Sequence, residues 1–440
     1  MTQSTNSSQV TPKQQLGLVG AVAIGLASML GAGVFVVFRD VAAAAGSLQN
    51  IALGIAALVA TLNATSIYQL ARVQSRAGGV YAYSRVYVSK PASFVAGFSF
   101  VFGKIGSIAA IALVFEEYVL PGWHGLIAVV AILVLTTINL LGINRTAAVA
   151  AVLAVITTAF LVLSITSAAS SSNSVAIDAM ALAPGNVLQG AALMFFAFAG
   201  YARVATLGDE VRDPKRNIPR AIVISLGAVL VLYVSISLAF NSILGPSLVS
   251  TEAPFVALMA ITAGWLPSWV VVAVASLAAL GSMLALLAGV SRTAAVMAED
   301  AELPKFFKLR NSRGAPWVAE LAIAVAAIIL VQIGTLAWVI GFSSFSVLLY
   351  YAIGHLSSMR QPSAERFMPR WLNVAGGLLC LLLISAVPGP AIPVSLGMLV
   401  LAVAARRLAR ETGQRTTARA SQEAVIDGVS RIITCPRVDA

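Results

Sequence analysis

The sequence predicts an all-α integral membrane protein of about twelve transmembrane helices, and three observations predict it. The 440 residues are 59% hydrophobic and only 10% charged, with a mean hydropathy of +0.92, far from the mix of a soluble globular chain. Apolar runs long enough to cross a hydrocarbon core of roughly 30 Å, about 20 residues each, recur from Leu16 almost to Arg406. Lys and Arg gather in alternate connections between those runs, as they do in multi-span proteins.

The spans are expected at 16–46, 49–71, 92–119, 125–142 and 147–169, then at 187–207, 219–243, 267–297, 317–334 and 336–358, and finally at 371–387 and 389–405. The polar stretch 1–15 lacks the charged region, short apolar core and small-residue cleavage site of a removable signal peptide, so it reads as a tail. Residues 408–440, polar and mixed in charge, read as a second tail. The organisation expected is a core, 16–358, in two blocks at about 16–170 and 187–358, followed by two further helices within 371–407.

The net charge of +11 is explained by where the basic residues fall. Arg72, Arg76, Arg85 and Lys90 share one connection, Arg145 the next but one, and Arg212, Lys215, Arg216 and Arg220 another. Lys305, Lys308, Arg310 and Arg313 follow, then Arg360, Arg366 and Arg370. With Lys13 at one end and Arg406, Arg407 and Arg410 at the other, all lie on one face, and the opposite loops offer only Arg39. The positive-inside rule makes that face cytoplasmic, with both termini on it and an even number of crossings. The basic excess therefore reads as topology and attraction to anionic lipid rather than nucleic-acid binding.

Cysteine and histidine supply little. Cys380 lies in a late span and Cys435 in the tail, so neither a disulfide framework nor a metal-ligand set is expected. His124 and His355 read as isolated residues near span ends. The chain holds no GxSxG, HExxH or Walker-type loop, so no cofactor, metal, catalytic group or ATP drive is expected.

Two spans interrupt themselves. The first is broken at Gly31-Ala32-Gly33 and the sixth around Phe198-Ala199-Gly200. In lipid a broken helix strands backbone groups that only protein or a water-filled cavity can satisfy. Each break opens a block of five spans, and an odd number of spans inverts the second block relative to the first, which is the logic of inverted repeats. Read alone, Gly-Ala-Gly is equally what close helix packing in membranes requires.

Four stretches carry a family resemblance. Ser28-Met29-Leu30-Gly31-Ala32-Gly33-Val34-Phe35 resembles the G-x-G-[IV]-F break in the first helix of amino acid/polyamine/organocation (APC) superfamily transporters. Gln74-Ser75-Arg76-Ala77-Gly78-Gly79-Val80-Tyr81-Ala82-Tyr83 resembles their P-R-A-G-G-x-Y-x-Y loop. Phe195-Phe196-Ala197-Phe198-Ala199-Gly200-Tyr201, followed by the mixed-charge segment 208–220, resembles their sixth helix and the loop after it. The stretch from Ser291-Arg292 to Ala298-Glu299-Asp300 resembles the end of their eighth helix. The four occur in order at matching positions between about Gly17 and Pro369.

The resemblance implies a LeuT-type 5+5 inverted repeat plus two C-terminal helices, and secondary transport of an amino acid or related amine. It implies that the backbone at Met29, Gly31, Ala32 and Gly33 holds the substrate carboxylate. Free N–H groups at the start of the second half-helix suit that role, and glycine allows close approach. Phe195, Ala197, Phe198, Ala199 and Gly200 then resemble the segment that takes the α-amine on exposed carbonyls, with Phe198 as the side chain closing over the substrate. Against this stands ordinary packing of the aromatics. The loop 208–220, where Asp209, Glu210 and Asp213 face Arg212, Lys215, Arg216 and Arg220, reads either as an inner latch or as a solvated loop whose exposed pairs contribute under about 1 kcal/mol.

Lys104 is read as the one charge well inside a span. Such a group is costly by at least about 2.5 kcal/mol and by default marks a pathway, relay or counter-ion. Burial favours the neutral amine, which would let it exchange protons as a cavity opens and closes. The other reading is a structural lysine bonded to carbonyls freed by a broken helix. Family members thought to be proton-coupled carry a lysine in the fifth helix, where this chain has Thr157. Cationic amino-acid transporters carry Gly-Trp-Asp-x-x-x-Glu in the third, which here reads Gly97-Phe98-Ser99-Phe100-Val101-Phe102-Gly103. A cation in place of that acid disfavours cationic substrates and favours neutral or acidic ones.

The expectation is a multi-pass permease of the cytoplasmic membrane, surrounded by lipid and driven by a proton gradient through Lys104. The alternatives are sodium coupling, with Gly281 and Ser282 facing the first break as oxygen donors, amino-acid exchange, and a non-transporting sensor on the same fold. A membrane enzyme is disfavoured, because no nucleophile or acid–base constellation lies within the spans.

Overall fold

Lipid offers no hydrogen-bond partner to a peptide group, and most of the described chain is accordingly helical. The computed structural model describes residues 16–31, 33–74, 78–141, 146–172, 185–206 and 210–408. Residues 1–15, Ala32, residues 75–77, 142–145, 173–184 and 207–209, and those from 409 on (among them Arg76, Arg145, Gly208, Asp209 and Cys435) lie outside the described residues.

The first expected span is two helices, α1 (Leu18–Met29) and α2 (Gly33–Ala45). α3 (Gln49–Val73), α5 (Lys90–Val119), α6 (Leu126–Leu140) and α7 (Thr146–Ala169) complete the first block. A short helix, α4 (Val80–Tyr87), lies between α3 and α5. The sixth span is α8 (Val187–Phe198), a 3₁₀ turn at Ala199–Tyr201 and the four-residue α9 (Ala202–Ala205). α10 (Pro214–Ile243), α12 (Ser268–Glu299), α13 (Trp317–Ile333) and α14 (Leu336–Met359) follow, with a short α11 (Pro254–Thr262) between α10 and α12. α15 (Arg370–Ser385) and α16 (Ala391–Leu408) end the described chain. The main compact unit runs to Ser395, and the remaining turns of α16 belong to a second.

Among the described residues, eight segments are long and apolar enough to cross a bilayer, and four shorter apolar helices accompany them. Each falls on an expected span. Val231, Leu401 and many other large apolar side chains are exposed, as lipid-facing positions are.

α4 and α11 reveal the repeat. Each lies between the second and third spans of its block, α4 at the basic face and α11 at the opposite one. α11 sends Phe255 against Phe35 of α2 and Phe160 of α7, with ring centroids 5.1 and 5.7 Å apart. In the other block the N-terminus of α4 reaches α14, where Val80 N–H donates to the Tyr350 hydroxyl at 3.0 Å. Gly79, at φ 57°, packs there against Tyr350, Thr206 and Ala205. Only a residue without Cβ tolerates both that conformation and that contact. α11 therefore meets the broken first span and the fifth, and α4 meets the broken sixth span and the tenth.

His355 is not isolated, contrary to expectation. Its Nδ1 lies 2.6 Å from Ser66 Oγ and its Nε2 2.8 Å from Asn63 Oδ1, and Ser66 Oγ also donates to Asn373 Oδ1 at 2.7 Å. Gly376 of α15 lies directly on the imidazole. Local sequence hides this because the partners come from α3 and α15, about 290 and 20 residues away in sequence. Polar contacts of this kind hold helices together in lipid, and here they fasten α15 to the core.

Candidate functional site

The two breaks touch. A methyl group on Gly200 would collide with the backbone of Ser28 and Met29, so this glycine lets the 3₁₀ turn of the sixth span lie on the end of α1. A Cβ on Gly33 would sit 3.2 Å from the Phe196 ring and 3.4 Å from Ala197 Cα, so the start of α2 lies on the end of α8. The N-terminal pole of one half-helix and the C-terminal pole of the other thus meet in one place, one positive and one negative. The surroundings are closed: Met29 and Leu30 are 1% exposed, Phe195 and Phe198 not at all.

The site residues read from the sequence distribute as follows. Met29, Gly31, Gly33, Ala197, Ala199 and Gly200 line the junction, and Ala32 lies outside the described residues. Phe198 packs on Tyr233 at 5.0 Å between ring centroids, and Phe195 packs edge-on against Tyr351 at 5.8 Å. Phe196 reaches the start of α2. Ser282 packs directly on Gly31, its hydroxyl donating to Ala279 O at 3.2 Å. Gly281 does not face the first break as expected. It lies against Leu153 of α7, because one helical step turns it about 100° from Ser282. Thr157 is buried on α7.

Lys104 is 3% exposed, and its Nζ donates to the carbonyl of Ala199 at 3.1 Å. α5 thus delivers a cation to the negative end of α8, where freed carbonyls receive it. Tyr233 on α10 is a member that sequence reasoning missed. Its hydroxyl lies 2.6 Å from Met29 O and 3.2 Å from Ala197 O, bridging the ends of α1 and α8. Nothing in its local sequence marks it, since it is one aromatic in an apolar helix.

Lys104 is also not alone. Arg203, one turn past the second break, points its guanidinium at Gly289 of α12, where a Cβ would sit 2.8 Å from Cζ, and donates to Thr206 Oγ1 at 2.7 Å. The signal was present in the sequence, an arginine three residues after Gly200 and within the expected span.

On the basic face the latch differs from a network within one loop. Glu210 pairs with Arg292 of α12 at 2.9 Å, and Leu16 exchanges backbone hydrogen bonds with Glu210 O and Arg212 N at 3.1 and 2.8 Å. Arg85 of α4 lies 3.4 Å from Glu302 and 3.7 Å from Asp300, and the Tyr81 hydroxyl donates to Asp300 at 2.8 Å. Burial, and that bond to a carboxylate, push the Tyr81 phenol above its ordinary range, so it remains a donor. Towards the opposite face Tyr118, Phe160 and Phe255 close around Phe35 of α2.

Paired half-helices meeting inside a bundle of apolar spans, with a plug over each face, define a broken-helix membrane transporter. The sequence model of the family described as amino acid permease matches residues 20–415, and the chain belongs to that family. It is 39% identical over 421 residues to a protein named as an uncharacterized transporter in Mycobacterium tuberculosis, covering 92% of this chain and 95% of that one. It is 26% identical over 385 residues to the b(0,+)-type amino acid transporter 1 of Mus musculus, covering 80% and 77%. It is 25% identical over 402 residues to cationic amino acid transporter 7, chloroplastic, of Arabidopsis thaliana, covering 83% and 68%. The protein is thus a multi-pass membrane transporter of the amino acid permease family.

Proposed function

We propose that this permease moves an amino acid or related amine across the cytoplasmic membrane by alternating access, coupled to protons, with neutral or acidic substrates favoured over cationic ones. The observation that carries the reading is the meeting of the two breaks at Gly200. A carboxylate is stabilised by N–H groups at the start of α2 and an ammonium by carbonyls at the end of α8, so one zwitterion fits both poles.

Lys104 supports the charge preference. Its ammonium stands at the junction, where a cationic side chain would meet a like charge with little solvent between them. The plant relative is named for cationic substrates, but in this chain the stretch Gly97–Gly103 of the third span lacks the acid of that pattern and Lys104 comes directly after it. The basic loops support a cytoplasmic position for both termini.

The test is counterflow and pH-jump flux in proteoliposomes holding the full chain or Lys104→Met. The variant is expected to retain counterflow of labelled substrate and to lose net movement driven by a pH jump of either sign. Proton-driven movement that survives in the variant overturns the assignment of Lys104, and saturable binding without turnover in the unmodified protein marks a sensor instead.

A further inference from the structure

One acceptor at the junction faces two cations. The carbonyl of Ala199, at the negative end of α8, is where a substrate ammonium would be received, and Lys104 Nζ already donates to it at 3.1 Å. The neighbouring acceptors are also engaged from within. Tyr233 holds the carbonyls of Met29 and Ala197, and the Ala199 N–H returns to the carbonyls of Phe195 and Phe196. Lys104 therefore occupies the amine pole with an amine of the protein's own.

Among the described residues, that amine donates to the Ala199 carbonyl and has no counter-ion. Titratable side chains on the elements packed against α5 include Tyr350 and Tyr351 of α14, and Tyr201 and Arg203 stand two and four residues beyond Ala199. Among the described residues, the carboxylates on helices beside α5, namely Asp40, Glu299 and Glu320, form no ion pair with Lys104. Two ammonium groups on one carbonyl would stand side by side where little screens them.

Resting on the amino-acid reading above, the geometry points to Lys104 as an internal competitor of the substrate: its ammonium and the substrate's ammonium use the Ala199 carbonyl in turn. Substrate binds when the ε-amine has released its proton to water and left the carbonyl. When substrate leaves, the amine takes a proton from water and returns. Two ligands that exclude one another on a single alternating site are exchanged, because each return of the site carries the other ligand. The proton and the substrate then cross in opposite directions, so an inward proton gradient expels substrate. Co-transport in one direction requires the reverse arrangement, a proton retained on the protein while substrate is bound.

The experiment uses the purified full chain with L-alanine and L-glutamate as probes. In weakly buffered detergent solution containing a pH indicator, binding of either probe is expected to release about one proton, and its apparent affinity to strengthen about tenfold per pH unit on raising the pH through the range where Lys104 is protonated. Lys104→Met is expected to bind with no proton release, and Lys104→Arg, charged throughout, to bind weakly at every pH. In proteoliposomes preloaded with probe, acidifying the outside is expected to speed efflux. These readouts on the unmodified protein decide the matter even where a variant fails to fold. Binding without proton release, affinity that strengthens as pH falls, or accumulation driven by outside acid overturns the exchange mechanism alone. Failure of both probes to bind overturns the amino-acid reading and the exchange mechanism with it.

Discussion

At Gly200 the absence of one methyl group lets two broken spans touch. Gly200→Ala must push the backbone of Ser28 and Met29 away, and overpacking of this kind costs about 1–3 kcal/mol. A lower thermal midpoint and loss of ligand-induced stabilisation are expected, both read in one thermal-shift series. Tyr233→Phe keeps the ring against Phe198 but removes the one hydroxyl proton that the carbonyls of Met29 and Ala197 share, and leaving a buried acceptor unpaired costs about 1–3 kcal/mol. That variant is expected to unfold earlier and to bind substrate more weakly in isothermal titration. The glycines were legible in the sequence because Gly in an apolar span is a visible interruption. Tyr233 was not, because its role depends on reaching two carbonyls that lie 204 and 36 residues away.

At the scale of elements, α4 and α11 are the pieces that sequence reading passed over. Eight and nine residues long, they fall below any length that signals a span, and α4 is too polar to be read as one. Their placement nonetheless closes the two faces. On the basic face the latch rests on buried charge: the Glu302 carboxylate is fully buried beside Arg85, whereas Glu299 and Arg310 are nearly half exposed. Glu302→Ala is therefore expected to cost on the order of 1–3 kcal/mol and to open the α4 side, read as faster alkylation of a cysteine placed at Ala205. Glu299→Ala is expected to cost under about 1 kcal/mol and to leave that rate unchanged. A similar effect of the two substitutions would show that α4 is not held by its buried pair.

At the scale of the whole molecule, alternation of basic loops fixes which connections share a face. In a background with Cys380 and Cys435 replaced, Lys308→Cys is expected to react with an impermeant thiol reagent only from the cytoplasmic side, and Trp265→Cys, at a position 72% exposed, only from outside. Labelling of both from one side would break the topology.

What the sequence determined by itself was the membrane solvent, the order of the spans, the two interruptions and the lysine deep within α5, because each is written in composition or local spacing. Hydrocarbon tolerates so few backbone and charge arrangements that departures from apolar helix stand out in one dimension. Only the tertiary structure decided what those departures meet. It set Gly200 on α1, Ser282 rather than Gly281 on Gly31, Tyr233 across both breaks, His355 among α3 and α15, and Lys104 on the Ala199 carbonyl. Each partner is brought in by the packing of helices distant in sequence, and helix packing depends on which faces adjoin, information that no short stretch of sequence contains.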